Sequence, residues 1–132
     1  MAHPPPWEHG LAERNLAAMW RNYQALGYRR MIYTNTVSVL PDVIERLTNA
    51  LGDDSKILAI LLTCTDSTAR KRLSQREIGS TLNRHLASSA EMADLLNGGA
   101  TNGVHRIPTD DRSITEITAD VIALTGWLKD DR

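Results

Sequence analysis

The chain has 132 residues, 42% of them hydrophobic and 23% charged, with a formal net charge of −1. That length suffices for one domain with its own core, and the near-neutral balance excludes a general nucleic-acid or membrane-surface binder, so any anion site must be a local cluster. No apolar run reaches the roughly 18 residues of a membrane span. The opening MAHPPPWEHG lacks the basic start and hydrophobic centre of a signal peptide, and the only cysteine, Cys64, has no partner for an intramolecular disulfide, so the expected setting is the reducing cytoplasm.

In chain order, residues 1–10 read as a lead-in, because the prolines at 4–6 remove backbone donors and hold an extended form. Residues 11–132 read as a single domain. From about Leu11 the apolar positions Leu16, Met19, Trp20, Tyr23 and Leu26 recur at helical spacing, and Gly27 stands where a left-handed cap ends a helix. RRMIYTNT is a short β-rich run with Met31, Ile32 and Tyr33 at its centre. Pro41 then opens a helix carried by Val43, Ile44, Leu47 and Leu51, and Gly52 stops it. KILAILLTC is continuously apolar from Ile57 to Leu62, as suits a strand buried on both faces of a parallel sheet.

Asp66 is placed to cap a helix through Ala69 and Leu73 to about Arg76, and Gly79 separates it from a second helical pattern at Leu82, Leu86, Ala93 and Leu96. NGGATNG, residues 97–103, has loop composition, and VHRIPT is a short strand candidate. Ser113 and Glu116 have capping-box spacing ahead of a last helix with Ile114, Ile117, Val121, Leu124 and Leu128. Strands alternating with helices predict an α/β three-layer sandwich: a small parallel sheet of about three strands with helices on both faces. Three short strands make a small sheet, as if part of it were lost.

RKRLSQRE, Arg70 to Glu77, concentrates four basic side chains just after the most apolar strand. Ligands of open parallel sheets bind at the carboxyl ends of the strands. Arg72 and Arg76 share a helix face, and guanidinium forks match phosphate oxygens. Spacing alone favours the plainer reading, a solvated helix flank.

ILLTCTDSTARKRLSQRE resembles the segment of P-loop small-molecule kinases, of the adenylate kinase, gluconate kinase and chloramphenicol phosphotransferase types, in which an apolar strand leads into a helix reading R-L-x-x-R. The resemblance implies phosphate-facing lid arginines at Arg72 and Arg76 in the catalytic role, with Arg70 and Arg84 as further nucleotide-binding candidates. RIPTDDRSITEITADVIALTGW resembles the last strand, base loop and final helix of the same kinases. It implies Thr109 and Asp110 near the adenine ring and Arg112 near the ribose or phosphates, with ATP and Mg²⁺ as ligands. Members of that family begin with a strand followed by G-x-x-x-x-G-K-[ST], whose amides and lysine cradle the phosphates. No Gly-Lys pair occurs anywhere in this chain. The resemblance therefore implies an incomplete P-loop NTPase fold that binds nucleotide but is deficient in phosphoryl transfer on its own. The alternative is a non-catalytic interaction or dimerisation module whose open sheet edge is completed by a second copy or an upstream segment.

Other chemistry finds little support in the sequence. His3, His9, His85 and His105 show no H-x-x-x-H or Cys-His spacing for zinc, and no G-x-S-x-G nucleophile elbow occurs. Trp20 and Trp127 follow helical apolar patterns, and Phe is absent, so a stacking platform for single-stranded nucleic acid is not expected.

Overall fold

A computed structural model describes residues 10–52, 54–76 and 79–130. The lead-in over residues 1–9, with its prolines and Trp7, falls outside them. The chain divides into two compact units, Met1–Ile57 and Leu58–Arg132. Its described elements are helices α1 (Leu11–Ala25) and α2 (Pro41–Leu51), strand β1 (Ile60–Thr63), helices α3 (Asp66–Arg76) and α4 (Ser80–Gly99), strand β2 (His105–Pro108), and helices α5 (Ile114–Thr125) and α6 (Trp127–Asp130). The class is α/β, as the alternating pattern implies.

In the first unit, α1 ends in the way its sequence dictates. Gly27 takes a positive φ of 96°, the Tyr28 N–H donates to Tyr23 O at 3.1 Å, and the Gly27 N–H donates to Gln24 O at 3.0 Å. These two bonds form a Schellman motif, and the apolar contact that accompanies such a motif is made by Tyr23 and Tyr28, whose rings meet edge to face with centroids 5.3 Å apart. Pro41 at the first turn of α2 loses no helical hydrogen bond there. The two helices then bury Leu16 against Val43 and Leu47, and Met31, Val37, Leu40 and Leu51 pack around that cluster.

The strand expected over Met31–Tyr33 is not formed; residues 28–35 carry no regular element. A strand exists only by pairing, and no ladder partner lies beside this run among the described residues. Met31 packs into the α1–α2 core instead, while Ile32 is left 79% exposed.

The second unit contains the sheet, which has two strands where about three were expected. β1 and β2 pair in parallel, with Ile60 opposite His105 and Thr63 opposite Pro108. Leu61, Val104 and Ile107 are the buried apolar residues of this unit. β1 begins at Ile60, so Ile57 and Leu58, each 37% exposed, precede it.

Three helix boundaries also differ from expectation. The cap of α3 is Thr65, not Asp66: the Ala69 N–H bonds Thr65 O at 3.0 Å, and the Thr68 N–H bonds the Thr65 hydroxyl at 3.3 Å. α4 runs through Asn97, Gly98 and Gly99, which composition assigns to a loop. Its extension is held from outside, because Arg106 in β2 donates to the Asn97 and Ala100 carbonyls at 2.9 and 3.2 Å and so satisfies groups that a helix end leaves open. Ser113 and Glu116 form the capping box that their spacing predicts. α5 stops at Gly126, whose φ of 68° is left-handed, and Leu128 belongs to the short α6.

Candidate functional site: the carboxyl ends of the parallel strands

Both strands of the second unit end beside the start of a polar turn: Cys64–Thr65 leads into α3, and Thr109–Arg112 leads towards α5. Parallel pairing puts these two turns at the same end of the sheet. Thr109 is the hinge of the arrangement and the one buried polar residue of the described chain, at 7% exposure. Its N–H and its hydroxyl both donate to Thr63 O, each at 2.8 Å, extending the ladder by one residue.

Arg72 reaches this point from the second turn of α3. One terminal nitrogen donates to the Thr109 hydroxyl and the other to the Thr109 carbonyl, both at 3.0 Å. The fork is thus spent on β2, where it ties α3 to the end of the neighbouring strand. These bonds use two of the five guanidinium N–H donors, so a phosphate would have to be held by the other three or displace them.

Asp110 fastens the two turns from the other side. One carboxylate oxygen accepts from the Thr65 N–H at 3.0 Å and from the Thr65 hydroxyl at 2.9 Å. The Thr68 hydroxyl, the Thr65 N–H and the Thr65 hydroxyl together hold the Asp110 carboxyl at about 2, against an ordinary value of 3.8, by hydrogen-bonding its charged form. Thr65 has one hydroxyl proton to give, and the carboxylate is the acceptor that gains most from it; the Thr68 oxygen lies 3.0 Å from the same hydroxyl.

Arg112 follows at the same end, donating to Pro108 O at 3.3 Å and to the Asp120 carboxylate of α5 at 2.6 Å. Arg70 pairs with Asp66 one turn back, at 2.8 Å, both side chains more than half exposed. Arg76 lies in the last turn of α3 and Arg84 in the second turn of α4, both exposed. The fold therefore gathers Arg72, Thr109, Asp110 and Arg112 at one end of the sheet, with Arg70 on the adjoining helix. Thr65 and Thr68 escaped the sequence reading; the signal was a hydroxyl two residues past an apolar strand with a second one three further on, the spacing of a helix cap.

Beside β1 lies an open cleft of about 500 Å³, bounded by Leu62 and Cys64, by Asp66 at the start of α3, and by Met92, Asp94 and Asn97 of α4. Its lining contains two carboxylates and no Arg or Lys, which does not suit a polyphosphate. Among the described residues no three His, Cys, Asp or Glu side chains gather to hold a metal ion, and no helix is long and apolar enough to cross a membrane. Comparison with protein-family models, with curated proteins and with solved structures finds no match to this chain.

Proposed function

We propose that the Leu58–Arg132 unit is the nucleotide-side part of an ATP-binding, kinase-like domain, and that this chain by itself does not transfer phosphate. The observation that supports the reading is the convergence of Arg72, Thr109, Asp110 and Arg112 at the carboxyl end of a parallel strand pair, beside the amino terminus of α3. The absence of any Gly-Lys pair supports its second half, since phosphoryl transfer depends on an amide and lysine cradle for charge stabilisation. Mg²⁺ would enter with the ATP phosphates, which together with water supply most of its ligands.

Titration of the ¹⁵N-labelled chain with ATP tests it. The expected result is a saturable movement of the Thr65, Asp110 and Arg112 amide signals, reduced by Arg112→Ala, without release of phosphate. Signals that stay in place at millimolar ATP would refute the assignment, and phosphate transfer that disappears in Arg72→Ala would refute the deficiency.

A second reading is favoured by the sheet itself. β1 is bonded along one edge only among the described residues, and Leu62 is 56% exposed, which suits a non-catalytic interaction module that offers this edge to a further strand.

A further inference from the structure

We propose that the cleft bounded by β1, α3 and α4 is a binding site for a small organic cation, an ammonium or amidinium group carried on an apolar body. The proposal stands apart from both readings above, whose ligands are a polyanion and a strand.

The sequence opens this cleft with small side chains. Ala90, Ala93, Asp94 and Asn97 recur at positions i, i+3, i+4 and i+7, so they share one face of α4, and Ala69 of α3 lines the same space. Where longer side chains would fill it, a cleft of about 500 Å³ remains, a volume suited to a small molecule. Its floor and its rim differ. The buried Leu61 and the half-buried Ala69, Ala90, Met92 and Leu96 are apolar, whereas Asp66, Asp94 and Asn97 are exposed. Release of water draws an apolar body to such a floor, and the charge at the rim selects what that body carries.

The rim charge is negative and incompletely neutralised. Asp66 accepts from Arg70 Nε through one oxygen at 2.8 Å, and Arg70 does not line the cleft. Asp94 has no hydrogen bond or ion pair among the described residues, which makes it the stronger attractor of the two. A phosphate or carboxylate would be repelled here. A bare metal ion would find too few ligands, since no three His, Cys, Asp or Glu side chains gather among the described residues. An ammonium or amidinium group suits the rim, because its N–H donors can bond the Asp94 carboxylate, the Asp66 oxygen that Arg70 leaves, and the Asn97 amide oxygen.

Three probes of one shape test the proposal: 4-phenylbutylammonium, 4-phenylbutanol and 4-phenylbutyrate, each titrated into the full chain with the methyl signals of Leu62, Met92 and Leu96 followed by NMR. The expected result is saturable movement with the ammonium, binding weaker on the order of fivefold with the alcohol, and none with the carboxylate. Asp94→Asn should weaken the ammonium about threefold, the size of one exposed ion pair, and leave the alcohol unchanged. Ala93→Trp, at an exposed helix position, should fill the cleft and abolish binding of both, with an unchanged urea midpoint showing that the chain still folds. Methyl signals that stay in place with all three probes would overturn the site, as would undiminished binding to a folded Ala93→Trp chain. Equal affinity for ammonium and alcohol, unmoved by Asp94→Asn, would overturn the cation. Mg²⁺ or Ca²⁺ that moves the same signals and excludes the ammonium would overturn the organic class. These methyls are distinct from the Thr65, Asp110 and Arg112 amides that report ATP, so this proposal and the nucleotide reading can fail separately.

Discussion

Asp110 carries the most perturbed titration in the described chain, and its consequence belongs to acid solution. The folded carboxyl stays charged down to about pH 2, whereas the unfolded one takes up its proton near 3.8. As pH falls through that window the unfolded state binds the extra proton first, so the contribution of Asp110 to stability is complete above about pH 4 and is lost towards pH 2. Asp110→Asn should therefore flatten the fall in denaturation midpoint between pH 4 and pH 2, and an unchanged acid slope would show that the Thr65 and Thr68 donors do not hold the carboxylate. The sequence marked Asp110 through resemblance alone. Its partner Thr65 lies 45 residues earlier in the chain, and no local pattern announces a contact of that separation.

At the scale of elements, the best-read parts were those specified within a few residues. Gly27, Pro41, Gly52 and the Ser113–Glu116 pair each act through backbone geometry or a short-range hydrogen bond, and each does in the fold what its spacing implies. Ser113→Ala should remove the bond that its hydroxyl accepts from the Glu116 N–H, while the Ser113 N–H keeps its bond to the Glu116 carboxylate, and cost about 1 kcal/mol, seen as a lower urea midpoint and earlier exchange of the first α5 amides. An unchanged midpoint would mean that packing rather than capping starts this helix. The misread parts depend on partners outside the window. Met31–Tyr33 has strand composition without a ladder to join, and Asn97–Gly99 has loop composition but is drawn into α4 by Arg106 from another element.

At the scale of the molecule, the sequence conveyed the α/β class and the parallel pairing, but about three strands were expected where the described sheet has two. It did not convey that Arg72, which the kinase resemblance sets towards phosphate, is engaged by Thr109. A helix-face argument can show that Arg72 and Arg76 lie together, but not which neighbouring strand end meets them. Arg72→Ala should lower the stability of the Leu58–Arg132 unit by about 1–2 kcal/mol through loss of a forked charged bond, with Arg72→Lys recovering only part of it. Urea titration followed by the fluorescence of Trp127, in a variant with the other tryptophans replaced, reads this unit alone. A neutral result would reduce the Arg72–Thr109 bonds to a surface contact.

The parallel pair also sets an order of events in folding. Two parallel strands cannot be joined by a tight turn, and here α3 and α4 intervene between Thr63 and His105. Helices of that kind form within about a microsecond, while closing so long a loop carries an entropic penalty that only the finished strand pair repays. Arg72–Thr109 and Thr65–Asp110 span that closure, so they are contacts of the last stage. Loss of the Arg72 fork should then leave the refolding rate of this unit almost unchanged and appear nearly whole as faster unfolding, which makes the clasp at the strand ends a determinant of how long the unit stays folded rather than of how it gets there.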